Sequence, residues 1–479
     1  MKREEVIPPL IFALSFAFSS AFFYLVYLLI YPFLRPQPTG AGGAPGVLPS
    51  LAVRILALAS SSPAALYFYL VFVVIVFLNE FTYIFLALYH RTVDKKRRSA
   101  LTTYRLVSVI IPAFNEEKTI EKTLRAVLDS NYPNLEVIVV NDGSTDKTAE
   151  VVTPYVVKSR GMVRLINRPN GGKAAAINTG LLFARGDVIV CVDADTIVTR
   201  SAISNLVSYL KPEEVVGAAG NVKVGNRVNL LTRLQALEYV RGLNIRRRAF
   251  DVLNTILVIP GAIGAFKREA VSLVGTYTKD TVTEDMDETF KLVKTRLRVV
   301  YASRAVAYTE APSTFKGFLR QRKRWYGGIL QVLKKHGTPK GRFGTFSVVG
   351  YPYAVLSMFF LPFVELTTLS MTFAYVVAGF ALGITRFLYG VALFTLINTA
   401  VEYCLSGFAV GIEGESPSLV SYTVIYVWFY RFLLDAIRLR SIIEVLLGRL
   451  TWSKTRVERM GNLPSHLKSL ATRIPLSPP

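Results

Sequence analysis

Apolar residues are distributed very unevenly along this 479-residue chain, and that constrains its fold more than any other feature. They collect near both ends in runs of membrane-spanning length, while the middle alternates short apolar runs with helix-length segments. Residues 9–34 form one run, from Pro9-Leu10-Ile11 to Phe33-Leu34. It is too long for the apolar core of a signal peptide and carries no small-residue cleavage site. A second run at 64–89 ends on His90-Arg91-Thr92-Val93-Asp94-Lys95-Lys96-Arg97-Arg98, and others occur at 346–383, 387–410 and 418–437. With 52% apolar and only 19% charged residues, the whole is too apolar for an ordinary soluble protein. Membrane segments flanking a soluble unit satisfy both halves of the pattern.

Charge orients that arrangement. The formal net charge is +23, and the Lys and Arg cluster beside the apolar runs, as cytoplasmic flanks do. No nucleic-acid motif accompanies them, which excludes a nucleic-acid partner. The basic stretch at 90–98 places the residues after it in the cytoplasm and the Pro/Gly-rich stretch at 35–50 outside. The acidic loop Glu413-Gly414-Glu415-Ser416 reads as external, and the basic Arg438, Arg440, Arg449, Lys454, Arg456 and Arg459 as cytoplasmic. An inside start and an inside end need an even number of crossings. The stretch 346–383 then supplies two, turning near Pro362 and Glu365, for four C-terminal crossings and six in all. The expected division is 1–104 for two membrane helices and their basic flank, 105–345 for a cytoplasmic domain, 346–437 for the C-terminal membrane helices and 438–479 for a basic tail. Cys191 and Cys404 form no CxxC or disulfide framework and read as small core residues.

In the middle, Val107–Pro112, Leu135–Val140, Val163–Ile166 and Asp187–Val192 read as strands. Glu117–Ser130, Thr145–Ser159 (capped by Ser144) and Lys173–Ala184 read as helices between them. Continuous apolar strands alternating with helices imply a mainly parallel sheet covered on both faces. Ligands bind such sheets beyond the carboxyl ends of the strands. Three of those ends are polar: Pro112-Ala113-Phe114-Asn115-Glu116-Glu117, Asn141-Asp142-Gly143-Ser144 and Asp193-Ala194-Asp195.

Asp193 and Asp195, two apart in extended chain, face the same side. Two hard oxygen ligands suit Mg²⁺ or Mn²⁺ shared with phosphate oxygens, although a solvated strand-end turn has the same pattern. Asp142 can accept from a base or ribose, or simply close an Asp-Gly-Ser turn. Asn170-Gly171-Gly172-Lys173 opens a helix whose N-terminus and lysine favour phosphate; the same residues fit a Gly turn with an exposed Lys. It is not a Walker A loop, because Ala174 follows the lysine. Glu284 and Asp285 begin an acidic helix start, ordinary as dipole partners, in which one carboxylate can serve as a base. Gln321-Arg322-Lys323-Arg324-Trp325 reads as a juxtamembrane basic patch, or as a diphosphate-binding Arg324 beside a sugar-stacking Trp325.

Taken in order, Asp142, Asp193-Ala194-Asp195, Thr283-Glu284-Asp285 and Gln321-x-x-Arg324-Trp325 resemble the membrane-integrated processive family 2 glycosyltransferases, which include cellulose, chitin, hyaluronan and poly-N-acetylglucosamine synthases. The resemblance implies an α/β nucleotide-sugar-binding, GT-A-like cytoplasmic domain inserted between α-helical membrane segments of a multi-pass plasma-membrane protein. It implies that Pro112, Asn115, Glu116 and Asp142 hold uridine, and that Lys173 with Mg²⁺ or Mn²⁺ on Asp193 and Asp195 holds the diphosphate. It makes Asp285 the general base, with Glu284 beside it, has Gln321, Arg324 and Trp325 close the donor site and position the acceptor sugar, and puts Gly261 near the acceptor. The segment Ile259-Pro260-Gly261-Ala262 departs from the aromatic-Cys-Gly pattern of cellulose synthases, so glucose specificity is not implied. The expected reaction is inverting transfer from a UDP-sugar to a growing polysaccharide, exported through the protein's own helices along a path lined by Glu365, Glu402 and Asp435. Two alternatives remain: single-sugar transfer to a lipid acceptor, and a non-catalytic transport or scaffold subunit.

Overall fold

The computed structural model describes residues 63–97, 103–338, 343–381 and 385–447. The run at 9–34, the Pro/Gly-rich stretch at 35–50, and Arg449, Lys454, Arg456 and Arg459 lie outside the described residues.

Strands β1 (Val107–Ala113), β2 (Leu135–Asp142), β3 (Val163–Arg168) and β4 (Val188–Val192) form where the sequence places strands. The runs of Val and Ile in β1, β2 and β4 are buried on both faces, as a strand covered by helices on either side requires, whereas β3, at the edge of the sheet, is mostly half-buried. β1 pairs in parallel with β2 and β4, and β2 with β3. The connecting helices are α2 (Ile120–Leu128), α3 (Thr148–Lys158) and α4 (Lys173–Phe183), α1 (Pro63–Lys96) being the apolar helix that precedes the domain.

Four further strands extend the sheet: β5 (Thr196–Val198), β6 (Val215–Val224), β7 (Ile263–Lys267) and β8 (Arg298–Thr309). The order is β3-β2-β1-β4-β7-β6-β8-β5. Three of the pairings, β4–β7, β6–β7 and β5–β8, are antiparallel. The expected mainly parallel sheet is therefore mixed. Its second half was hidden because β6, VVGAAGNVKV, lacks a continuous run of large apolar residues. Long helical excursions also separate its strands. Helix α5 (Ala202–Tyr209) precedes β6. Between β6 and β7 come α6 (Leu230–Glu238), a wide turn at Tyr239–Asn244 and α7 (Ile245–Val252). After β7 come α8 (Arg268–Leu273) and α9 (Glu284–Lys294), and after β8 the 22-residue α10 (Phe315–His336).

Among the described residues, four helical stretches are long and apolar enough to cross a membrane: Val73–Lys96, Phe346–Phe373, Ala392–Glu413 and Pro417–Leu446. The first belongs to α1, whose C-terminal half packs on the α/β domain. There His90 Nε2 lies 2.7 Å from Asp251 Oδ2, and Asp94 is buried, accepting from Tyr209 and Ser303. The stretch from 346 to 381 is one continuous helical run, not two crossings. A wide turn at Leu356–Phe360 precedes Pro362, and this kind of bulge accommodates a proline ring without ending the helix.

The acidic loop also departs from expectation. Instead of facing away from the α/β domain, it docks on it. Glu413 Oε1 accepts from Arg248 Nε at 2.5 Å, and Glu415 pairs with Arg227 at 2.7 Å and Lys223 at 3.3 Å. Local cations on β6 and α7 explain these acids, so they carry no information about sidedness. The next stretch of chain touches the domain at both ends: Arg233 Nη1 donates to Tyr422 Oη at 2.7 Å and Lys323 Nζ to Glu444 at 2.7 Å. Phe346–Phe373, Ala392–Glu413 and Pro417–Leu446 are thus the three C-terminal stretches with the length and apolarity of a membrane span among the described residues. Cys191 is buried in β4 as expected; Cys404 is exposed, not a core residue.

Candidate active site

The parallel register brings the polar ends of β1, β2 and β4 to one edge: Ala113 lies opposite Asn141, Asp142 opposite Arg168, and Ile110 opposite Cys191, two residues before Asp193. Two loops are laced together there. Asn115 adopts a left-handed backbone (φ 58°), which asparagine tolerates better than most residues. Its Oδ1 accepts from Thr145 N at 2.8 Å, its own amide donates to Ser144 Oγ at 3.0 Å, and Glu116 N donates to Thr148 Oγ1 at 2.8 Å. Ser144 is thus used by the neighbouring loop and does not cap α3. Asp146, just before the helix, accepts from Thr148 N at 3.0 Å, and the N-cap position is held by Lys147.

Asp142 is buried, and both its oxygens face protein. Oδ1 accepts from Arg168 and from Gly171 N at 3.0 Å, and Oδ2 from Gly172 N at 2.7 Å. It therefore builds the loop that opens α4. Gly172 sits at φ 86°, a conformation that side chains rarely adopt, which explains why the loop needs glycine. No side chain caps α4, so its first amides point out toward the strand edge.

Lys173, first residue of α4, reaches across this edge. Its Nζ lies 2.5 Å from Asp193 Oδ1 and 3.2 Å from Glu284 Oε1. Burial works against its charge, but Asp193, Glu284 and Asp285 hold its pKa well above the usual lysine value. Gly261 presses on the same ammonium: a Cβ there would stand 2.5 Å from Lys173 Nζ and 3.5 Å from Asp193 Oδ1. The Gly261 amide donates to Asp285 Oδ2 at 3.3 Å, and Met286 N to Asp285 Oδ1 at 2.8 Å. Burial and Glu284 push the Asp285 carboxyl up to about 6, against Lys173 and those two amides. A half-buried carboxylate in that range has the properties of a general base.

Asp195 completes the acidic side. Burial, Asp193 and Glu116 push its carboxyl up to about 7, which marks a site short of positive charge. Among the described residues no group of three or more His, Cys, Asp or Glu is arranged to hold a metal. The two aspartates fit a hard divalent cation whose other positions go to phosphate oxygens and water.

Helix α10 forms the remaining wall. Gln321 is half-buried, its Oε1 without a hydrogen-bond partner; Arg324 is exposed; Trp325 is half-buried. Trp325 and Met286 line a cavity of about 230 Å³ that extends between the domain and the apolar helices, with Glu80, Arg241, Arg246, Glu365, Arg431, Asp435 and Arg438 among its walls. The carboxylates in the apolar segments are paired: Glu365 with Arg431 at 2.7 Å, Glu402 with Arg241 at 2.6 Å and Arg431 at 3.1 Å, and Asp435 with Arg438 at 3.2 Å. Glu365 and Asp435 line the cavity, whereas Glu402 is buried against its arginines. The structure brings Lys173, Asp193, Asp195, Glu116, Glu284, Asp285 and Gly261 together, with Trp325 on the adjoining cavity. Arg168, Glu238 and Arg322 were not singled out from the sequence. A single charged residue gives no signal until its burial is known, and Arg322 looked like one more member of a basic patch.

Residues 108–275 match the family model described as glycosyl transferase family 2. The chain is 32% identical over 235 residues to a poly-beta-1,6-N-acetyl-D-glucosamine synthase of Staphylococcus epidermidis, covering 49% of this chain and 57% of that protein. It is 34% identical over 229 residues to the synthase of the same name from Staphylococcus aureus strain COL, covering 47% and 55%. The chain thus spans little more than half the length of the curated relatives it matches. Among solved structures, a mannosyltransferase from Pyrobaculum calidifontis, in complex with GDP-Man and Mn²⁺, superposes with a TM-score of 0.54 at 21% identity, over 84% of this chain and 99% of that one. This likeness shows the fold: a GT-A-like α/β domain flanked by apolar helices.

Proposed function

We propose that residues 108–275, which match the glycosyl transferase family 2 model, form a transferase domain, and that this protein performs inverting transfer of a sugar from a UDP-sugar to a growing polysaccharide at the membrane. The observation that carries the reading is the convergence of Lys173, Asp193 and Asp285 around Gly261, beside a cavity lined by Trp325 and leading to the apolar helices. The names of the curated relatives make a β-linked N-acetylglucosamine polymer the first product to look for.

The loops around Asn115 and the Asp142–Gly172 turn form the nucleoside end of the donor site. The free amides of α4 and the Lys173 ammonium bind the diphosphate. A divalent cation on Asp193 and Asp195 would add charge neutralisation for the leaving group. Trp325 stacks on the acceptor sugar, and Asp285 accepts the proton of its attacking hydroxyl. The new bond forms from that oxygen to the anomeric carbon as the carbon–phosphate oxygen bond breaks. The bonding pair leaves on UDP, and in-line displacement turns an α-linked donor into a β-linked product.

The test is UDP release by the purified protein in liposomes with Mg²⁺ or Mn²⁺, across a panel of UDP-sugars, with the product sized. A large product from one sugar is expected. A single-sugar lipid product would reassign the acceptor, and no release with any donor would overturn the transferase reading.

A further inference from the structure

Among the described residues Arg322 is the largest side chain that is fully buried, and the proposed transfer chemistry does not use it. On α10 it lies four residues after Phe318 and three before Trp325, so all three share one face of the helix. A buried guanidinium is costly unless its hydrogen-bonding groups are met. Only Nη2 is met, by Glu238 Oε2 at 2.6 Å; Nε and Nη1 have no hydrogen-bond partner. Aromatic rings stand in their place. The guanidinium carbon lies 4.2 Å from the centroid of the Trp325 ring and 5.0 Å from that of Phe318. Such stacking is favourable for a cation removed from water, and it needs the flat guanidinium, not an ammonium.

One face of the Trp325 indole is therefore taken, and the ring also borders the 230 Å³ cavity. Tyr239, with ring centroids 6.3 Å apart and planes at 46°, fences another side. The counter-charge is anchored in turn: Glu238, the last residue of α6, also accepts from Tyr430 Oη at 2.5 Å. Tyr430 lies on the C-terminal stretch that runs along the domain.

We infer that Arg322 is a positioning residue: anchored by Glu238 and Tyr430, it stacks on one face of Trp325 and holds the indole with its opposite face presented to the acceptor sugar. The chain Tyr430–Glu238–Arg322–Trp325 ties the sugar platform to the C-terminal helix. The role rests on the proposed transferase activity.

The experiment is Arg322→Lys, which keeps a charge opposite Glu238 and removes the planar stack, made in a Trp428→Phe/Trp452→Phe background so that Trp325 is the only one of the three tryptophans left to emit. Two readouts are taken in the full-length protein: Trp325 emission, and the KM values for acceptor and donor. The expected result is a changed emission maximum and yield, an acceptor KM raised about tenfold, and an unchanged donor KM. Tyr430→Phe, which loosens Glu238 without stranding a charge, should move both readouts the same way by less, and it decides the matter if Arg322→Lys does not fold. Unchanged emission and unchanged acceptor KM in the folded variant would overturn the inference. A shifted emission in a protein that transfers no sugar at all would uphold the stack and sink the transferase reading.

Discussion

Gly261→Ala probes the point where the donor and acceptor halves of the proposed site meet. The added Cβ would lie 2.5 Å from Lys173 Nζ, whereas an ordinary contact is 3.4–4 Å, so something must retreat by about 1 Å. The obstacle is the tip of a flexible side chain, and Gly261 does not occupy a positive-φ conformation, so the ammonium moves and the backbone stays. Lengthening the Lys173–Asp193 contact from 2.5 Å by that amount weakens the pair by about 2 kcal/mol at an effective dielectric of about 20. The two side chains are 33% and 29% exposed, and solvent screening reduces this to about 1 kcal/mol. If Lys173 holds the diphosphate as it leaves, kcat/KM should fall about fivefold. The melting temperature should stay within about 2 °C, because the pair is exposed enough to contribute little to folding. UDP release and thermal unfolding of the same preparation measure both. A variant with full kcat/KM would show that the Lys173–Asp193 contact has no part in transfer. A large loss of melting temperature would show that Gly261 matters to folding and not to the site.

Asp285→Asn should lower kcat by about 10²–10⁴-fold and spare donor binding, measured by turnover and by UDP titration. In the unaltered protein, kcat/KM should rise with pH through about 6 and then level off, since a base acts deprotonated; Glu284 raises that midpoint, and Lys173 and the more distant Arg247 oppose it. A flat profile between about pH 5 and pH 7 would remove Asp285 from the role. Gly328→Ala drives a Cβ into the Thr283 side chain, an overpacked contact costing about 1–3 kcal/mol, visible as a drop in melting temperature. Asp287→Asn strips a fully buried carboxylate that accepts from Thr278, Lys335 and His336 at 2.7–2.9 Å; it should destabilise by about 3–5 kcal/mol, read in denaturant unfolding. In a Cys404→Ala background, the thiol of Gly414→Cys should react with an impermeant maleimide from the same side of the membrane as that of Ser201→Cys in the α/β domain; labelling from opposite sides would restore the external loop.

The first half of the sheet was legible because the covered parallel strands β1, β2 and β4 must be continuous runs of Val and Ile, and their polar ends stand out against that background. β6, rich in Gly and Ala, and β7, only five residues long, give no such contrast. The candidate site residues stand out in the sequence as a combined motif and not singly. Asp142, a turn residue by its neighbours, is a buried acceptor for a glycine loop, and Ser144 bonds to a loop and not to its own helix. Charge misled at Glu413 and Glu415, because the counter-ions Lys223, Arg227 and Arg248 lie more than 150 residues away in the chain. Sidedness rules assume that a charged loop faces water; this one faces protein.

The proposed base and the proposed sugar platform sit on two helices packed against each other. Helix α9 carries Asp285 and is held on α10 at two places: Thr283 packs on Gly328 in the middle of α10, and Asp287 binds Lys335 and His336 at its end. Lys294 Nζ lies 2.8 Å from His336 Nδ1, which makes Nδ1 the acceptor and leaves the Nε2 hydrogen for Asp287. Trp325 rides on the same α10. The proposed donor half, Lys173 and Asp193, belongs to the start of α4 and the residue after β4, on the parallel part of the sheet. The two bodies meet through the Gly261 loop, whose amide touches the base and whose missing side chain makes room for the lysine. On the proposed reading, a shift of α10 would carry base and acceptor together relative to the donor, preserving the distance between attacking hydroxyl and base while changing its distance to the anomeric carbon. The C-terminal helix bears on α10 through Lys323–Glu444 and through Glu238 to Arg322, so on the proposed reading any displacement of that helix would be felt at the distance between acceptor and donor.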